Sequence, residues 1–285
     1  MRKRVFVVFM VLVVLAVGVM PAGAVTDGEL DGNDHPYVGL MLARDITGAP
    51  LWRCSGTLLS ETVFLTAGHC TEAPAASATV WFNADVEALR CGMPGAPAAP
   101  NCYSIGGTHA YNGSVHTHPS YDPSAFFLFD LGVVVLDTPV TEDEFGNPIT
   151  EYGELPQPGQ LNSLKTRRGR QDTTFTAVGY GLQQSFPDAA SWKDAAFRIR
   201  MVAHPHLIQI NGGLVGDFSL LLSNNAHTGG TCFGDSGGPN FLGDSNVVAG
   251  VTSFGLNGNC AGTGGVYRVD QPDDQAWLAT FGVTP

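Results

Sequence analysis

Short apolar runs alternate with Gly-, Pro- and Asp-rich stretches along this 285-residue chain, and only the N-terminal run is long. Such punctuation predicts many short strands rather than helices. Residues 25–36 are polar and rich in Gly and Asp, and read as an extended arm. Tyr37–Leu42 is a first apolar strand, and Leu58–Ala67 carries a second, interrupted by Ser60, Glu61 and Thr62. Residues 71–130 alternate short strands with loops. Within them Gly92–Pro100 is a Gly/Pro/Ala-rich hairpin tip flanked by Cys91 and Cys102. Leu131–Leu136 is uninterrupted apolar sequence and predicts a buried strand. Residues 139–164, rich in Pro, Gly and acids, predict the connection between two halves. Thr173–Val178, Ala196–Val202, Val247–Phe254 and Gly265–Val269 read as further strands. Pro272–Leu278 predicts a C-terminal helix: Pro272 opens it, Asp273 and Asp274 sit in its first turn, and Trp277 and Leu278 pack inward. The whole pattern predicts an all-β barrel or sandwich protein.

Composition sharpens this picture. Only 14% of residues are charged and 36 are Gly, as suits a turn-rich β protein. A net charge of −12 argues against nucleic-acid binding, which needs basic patches. The long apolar run, Val5–Met20, follows Arg2, Lys3 and Arg4 and precedes Pro21-Ala22-Gly23-Ala24. A basic start, an apolar stretch and a small-residue site predict an export signal, residues 1–24, cut after Ala24; an uncleaved membrane anchor is the competing reading. Cleavage removes three positive charges and takes the net charge from −12 to −15. The mature chain, residues 25–285, is expected to be secreted, off the membrane and monomeric. Six cysteines in an exported chain predict three disulfides, whose pairing the count alone leaves open. Nearest-neighbour spacing favours Cys54–Cys70, Cys91–Cys102 and Cys232–Cys260. No C-x-x-C pair occurs, so zinc binding is disfavoured and no cofactor is expected.

Three segments carry chemistry: Leu65-Thr66-Ala67-Gly68-His69-Cys70, Phe129-Asp130-Leu131-Gly132-Val133-Val134-Val135-Leu136, and Cys232-Phe233-Gly234-Asp235-Ser236-Gly237-Gly238-Pro239. A serine hydroxyl is a poor nucleophile at neutral pH and needs an adjacent base. His69 suits that role, because imidazole titrates near neutrality. The base in turn needs an acceptor on its other nitrogen. Asp130 opens a buried strand, so its carboxylate sits at the core edge and needs a polar partner. Asp122, in a Pro-flanked loop, and Asp137, beside Thr138-Pro139, are the rival acids. Ser236 lies among glycines, which leave room for a substrate, and the amides of Gly234 and Ser236 can point at one developing oxyanion. His116 and His118 form an H-x-H pair with no third ligand evident nearby, so a surface or loop role is favoured over metal. Asn112-Gly113-Ser114 is a glycosylation sequon.

These segments resemble the chymotrypsin-like serine proteases. The order His69, Asp130, Ser236 matches that family and differs from the subtilisin and α/β-hydrolase orders. Weaker matches are Cys54-Ser55-Gly56-Thr57-Leu58, Val178-Gly179-Tyr180-Gly181, Val251-Thr252-Ser253-Phe254-Gly255 and Gly265-Val266-Tyr267, so the resemblance spans residues 25–285. It implies two six-stranded antiparallel β-barrels with a short C-terminal helix, joined near 139–170. It also implies a His69–Asp130–Ser236 triad in the cleft between them, an oxyanion hole at Gly234 and Ser236, and the pairs Cys54–Cys70 and Cys232–Cys260. The implied activity is that of a serine endopeptidase acting on peptide or protein substrates. A catalytically silent binding protein on the same scaffold is the alternative, and an esterase a third reading.

The resemblance also implies a specificity pocket. The residue six before the nucleophile, Gly230, falls at its base, with Thr231 beside it, Ser253 in the substrate-binding strand, and Gly255 and Gly265 in its walls. None is charged, so cleavage after apolar or aromatic residues is expected and Lys and Arg should be poor. Finally, relatives activate when a freed α-amine pairs with the Asp before the nucleophile. Here that pair would be Val25 and Asp235. Thr26-Asp27-Gly28 departs from the usual Val-Gly-Gly after that amine.

Overall fold

A computed structural model of the chain describes residues 25–89, 109–165, 173–212 and 216–285. The export signal and the Cys91–Cys102 pair lie outside the described residues. Two sheets account for the fold. The first half forms a closed barrel from β2 (Val38–Arg44), β3 (Pro50–Leu58), β4 (Val63–Thr66), β5 (Ser77–Trp81), β6 (Ala110–Thr117) and β7 (Gly132–Leu136), in the order β2-β3-β4-β7-β6-β5. The predicted run at 131–136 is β7, and its neighbour β4 is buried along its whole length.

The second half departs from a closed six-stranded barrel. Its strands are β1 (Glu29–Leu30), β8 (Phe175–Gly179), β9 (Met201–Ala203), β10 (Leu207–Gly212), β11 (Gly216–Asn224), β12 (Pro239–Leu242), β13 (Val248–Gly255) and β14 (Gly262–Arg268). They form one curled sheet in the order β1-β9-β8-β12-β13-β14-β11-β10. The N-terminal arm adds β1 as an outer strand. The curl is drawn together by a lone bridge, Thr174 to His206, with Phe175 N donating to Pro205 O and Leu207 N to Thr173 O, both at 2.9 Å. Pro205 has no N–H to donate, which keeps β9 and β10 from running on as one strand. The strand expected at 196–202 shrinks for a related reason. Residues 196–200 make only an isolated bridge, Ile199 to Asp85, and Arg200 turns inward.

Two features bind the halves. Fully buried Arg200 donates to Asp31 Oδ2 at 2.7 Å, to Phe82 O at 3.0 Å and to Val38 O at 3.2 Å. It thereby ties the arm and the barrel to the second sheet, with its charge paired and its donors satisfied. Tyr180 Oη reaches Asn83 O at 2.9 Å. The α-helices among the described residues are α1 (Gly68–Thr71) and α2 (Pro272–Ala279); no described helix is long and apolar enough to cross a membrane.

Candidate active site

The barrel delivers His69 and Asp130 to one point. β4 pairs with β7 in a register that sets Thr66 opposite Gly132. Thr66 leads into α1, which carries His69 and is pinned to β3 by the Cys54–Cys70 disulfide. Gly132 is preceded by Asp130, and Phe129 takes a left-handed turn (φ +53°) that bends the chain there. Asp130 is fully buried. Its Oδ1 accepts from the His69 backbone N–H at 2.9 Å, its Oδ2 lies 3.0 Å from His69 Nδ1, and Ser253 Oγ donates to Oδ2 at 2.5 Å. An acceptor-only carboxylate beside Nδ1 fixes the proton there and leaves Nε2 with a free lone pair. Burial pulls the imidazole pKa down. The charge of Asp130 and its hydrogen bond, with a contribution from Glu72, outweigh burial and hold His69 above its ordinary value. The rival acids are elsewhere: Asp122 caps a turn through Ser124 N at 2.8 Å, and Asp137 is exposed.

Ser236 sits on a loop held from both sheets. Ser55 N donates to Ser236 O at 2.8 Å, Ser55 Oγ to Gly234 O at 2.9 Å, and Gly237 N to Thr252 O at 2.7 Å. Gly237 has φ +78°, and a Cβ there would stand 2.0 Å from Thr66 Oγ1, so both backbone and space demand glycine. The carbonyl of Phe233 accepts from Leu182 N at 2.9 Å and that of Asp235 from Gly238 N at 2.8 Å. In a trans peptide the following N–H points the opposite way, so the Gly234 and Ser236 amides turn from these partners. Neither has a backbone acceptor among the described residues. His69 and Ser236 line one cleft of roughly 510 Å³, and among the described residues the His69 ring is hydrogen-bonded to Asp130 and not to Ser236 Oγ.

The pocket residues are distributed differently from the sequence expectation. Thr231, Ser253 and Gly255 line the cleft, though the Ser253 hydroxyl serves Asp130. Gly230 does not line it. A Cβ at Gly230 would collide with Asn224 Cγ at 2.3 Å, and Asn224 is a buried residue of β11 that donates to Thr231 O at 2.7 Å. Gly265 is covered: a Cβ there would lie 2.3 Å from the ring of Phe254. Asn224, Phe254 and Glu72, which also lines the cleft, had no role in the sequence reading. Glu72 had a legible signal, three residues after His69, whereas Asn224 reaches the pocket base only through tertiary packing. His118 lies in the loop just after β6, as one of its two expected roles has it, but it is buried there rather than at the surface, stacked on Phe129 at 5.1 Å and edge-on to Trp277 at 4.9 Å.

The trypsin family model matches residues 29–273. The chain belongs to the trypsin family. It is 24% identical over 257 residues to phenoloxidase-activating factor 3 of Holotrichia diomphalia, covering 84% of this chain and 67% of that protein. Among solved structures, HL collagenase aligns with a TM-score of 0.65 at 21% identity, covering 91% of this chain and all of the other. The scabies mite inactivated protease paralogue S-D1 aligns with a TM-score of 0.60 at 14% identity, covering 91% and 99%. The fold is thus that of chymotrypsin-like serine proteases, and it is shared by a member described as inactivated.

In this trypsin-family chain Asp235 stands out as a fully buried carboxylate. It accepts from Gly181 N at 2.8 Å and Cys232 N at 2.9 Å. Burial pushes its pKa up to about 7 against the pull of these two bonds, and no cation pairs with it among the described residues. Val25 is also fully buried, among Met201, Ala203 and Ile199. The next residue, Thr26, bridges Gly230 and donates Oγ1 to Asn224 Oδ1 at 2.8 Å. In the full chain the Val25 nitrogen is a peptide amide following Ala24, and the expected ion pair to Asp235 belongs to the chain cut after Ala24.

Proposed function

We propose that this protein is a secreted serine endopeptidase with His69, Asp130 and Ser236 as its triad. The observation that carries the reading is Asp130, bonded to both the backbone N–H and Nδ1 of His69, which lines one cleft with Ser236. Ser236 Oγ attacks the scissile carbonyl carbon as His69 Nε2 takes its proton. The oxyanion is met by the Gly234 and Ser236 amides. His69 then returns the proton to the departing amine, leaving an acyl-enzyme that water hydrolyses by the same steps. The contact missing between Ser236 and His69 is one that apo sites commonly close only on binding substrate. Export is supported by the N-terminal segment and by the Cys54–Cys70 and Cys232–Cys260 disulfides. Thr231, Ser253 and Gly255, the expected pocket residues that line the cleft, carry no charge, which favours apolar side chains at the cleaved bond.

Profiling the purified protein on a peptide library tests this reading. Cleavage after apolar residues, with Lys and Arg at least about tenfold poorer, is expected. A profile dominated by basic residues would refute the pocket assignment. Folded protein that neither cleaves nor reacts with a fluorophosphonate would favour a silent binding protein; the scabies mite protein described as an inactivated protease paralogue has the same fold.

The buried, unpaired Asp235 supports a second element of the proposal, activation by an amine at Val25. The native state of the full chain binds this proton more tightly than the unfolded state, because the folded pKa is raised to about 7. Its stability therefore falls as pH rises from the ordinary carboxylate range through about 7. In a chain beginning at Val25 an α-ammonium beside the carboxylate removes that loss and orders the Gly234 amide. Denaturant titrations between pH 4 and 8 should show the pH-dependent loss only in a variant carrying two residues ahead of Val25, and that variant should be far less active. Equal activity of the two forms would rule the mechanism out.

A further inference from the structure

The turn before Asp130 is strained. Phe129 takes φ +53°, a left-handed conformation in which a bulky side chain crowds its own backbone. Such a turn persists only where its surroundings hold it. Part of the hold is local, with Leu131 N donating to Phe129 O at 2.7 Å and His118 N to Leu131 O at 2.9 Å. The rest comes from His118, which no step of the proposed reaction uses. Its ring lies flat against that of Phe129, with centroids 5.1 Å apart and planes 8° from parallel. The imidazole is itself held from several sides. Trp277 of α2 meets it edge-on at 4.9 Å. Ser120 N donates to Nδ1 at 3.2 Å, so the neutral ring carries its proton on Nε2. Nε2 faces Asp274 Oδ1 at 3.6 Å. Asp274 is fully buried in the first turn of α2, and Tyr267 Oη donates to its Oδ2 at 2.9 Å. Its Oδ1 has no hydrogen-bond partner among the described residues, which leaves that oxygen to His118. A chain of contacts thus runs from α2 through His118 to Phe129, the neighbour of Asp130.

We infer that His118 is a positioning residue for the catalytic centre: clamped by Ser120, Trp277 and Asp274, its ring holds Phe129 in the left-handed turn that aims the Asp130 carboxylate at His69. Asp130 meets His69 through two bonds at once, to the backbone N–H at 2.9 Å and to Nδ1 at 3.0 Å. Both depend on where residue 129 sends the chain, and a misplacement of about 1 Å can cost a rate factor of about 10². The same displacement weakens the support that Asp130 gives to the charged form of His69. The inference rests on the endopeptidase reading and deepens it, giving a use to the second histidine of the H-x-H pair.

The test compares kcat/KM and the His69 titration midpoint in wild type, in His118→Leu, which fills the space without a flat ring, and in His118→Phe, which restores one. The midpoint is read by NMR of isotope-labelled histidine, a signal that does not depend on turnover. His118→Leu should lower kcat/KM by about 100-fold. It should also move the His69 midpoint to lower pH, because burial, the largest influence on His69, is then less opposed by the charge and hydrogen bond of Asp130, while Glu72 stays as it was. His118→Phe should recover at least about tenfold of the lost rate and return the midpoint toward that of wild type. Phe129→Gly removes the strain, so in that background His118→Leu should cost no more than about threefold. A midpoint that His118→Leu leaves unmoved, a Phe variant as impaired as the Leu variant, or costs that multiply in the double variant would each overturn the inference. Should His118→Leu fail to fold, Phe129→Ala removes the stack from the other side: a midpoint shifted to lower pH supports the inference, and an unmoved one overturns it. Wild-type protein that neither cleaves peptides nor reacts with a fluorophosphonate counts against the endopeptidase reading, while the NMR midpoint still decides whether His118 positions Asp130.

Discussion

Ser236→Ala is expected to lower turnover of both peptide and ester substrates by a factor of about 10⁶. A factor of that size corresponds to about 8 kcal/mol of lost transition-state stabilisation. It exceeds what truncating a cleft residue outside the triad should cost, because the alanine leaves His69 with nothing to deprotonate. The fold should be indifferent. The loop is held through backbone groups of residue 236 and its neighbours, chiefly Ser55 N on Ser236 O and Gly237 N on Thr252 O. The hydroxyl supports no hydrogen bond to His69 that the structure would lose. The melting temperature of the variant should therefore match wild type while kcat collapses. Residual catalysis above water is expected from the Gly234 and Ser236 amides, which the substitution spares. A variant retaining more than about one part in a thousand of wild-type kcat would remove Ser236 as the nucleophile.

What the sequence could reveal follows from how local each feature is. His69, Asp130 and Ser236 each sit in a segment whose neighbours are constrained by the same chemistry: glycines beside Ser236 because the loop needs φ +78° at Gly237, and an apolar strand after Asp130 because β7 is core. The strands β2, β4 and β7 and the helix α2 were legible for the same reason, since apolar runs and a Pro-led, acidic first turn are written in contiguous residues, whereas β3 was not read as a strand. The pocket was not. Its base depends on Asn224, brought under Gly230 from β11, and its wall on a one-residue bulge at Ser253 that turns Phe254 onto Gly265. A bulge leaves no mark in a run such as Val-Thr-Ser-Phe-Gly, so an open, glycine-walled pocket was the natural expectation. The open curl of the second sheet was hidden likewise. Its outer strand is two residues of the arm, and its closure is a single bridge beside Pro205.

Asp130→Asn is expected to reduce kcat by about 10⁴ without displacing the residues around it. Asp130 now takes three donors: the His69 backbone N–H, His69 Nδ1 and Ser253 Oγ. A carboxylate can accept them all, but an asparagine offers one oxygen and presents N–H groups where the other oxygen was. If that oxygen keeps the His69 backbone N–H, the amide nitrogen faces Nδ1 and forces it to act as acceptor. The ring proton moves to Nε2, and the nitrogen that should deprotonate Ser236 becomes a donor. The pH dependence separates this from a general loss of structure. In wild type the activity of the basic form rises as pH passes the elevated His69 pKa. With the Asp130 charge gone, burial, the largest influence on His69, is left to lower it, so the midpoint of the residual activity should shift to lower pH. Stability should respond in the matching sense. His69 has a raised folded pKa in wild type, so its pairing stabilises the fold below its unfolded value and that contribution is lost as pH rises through the folded value. The stability gap between wild type and Asp130→Asn should therefore be wider at pH 5 than at pH 9. An activity midpoint that stays in place, or a gap independent of pH, would mean that Asp130 does not hold the charged form of His69, and the triad assignment would fail at its most buried member.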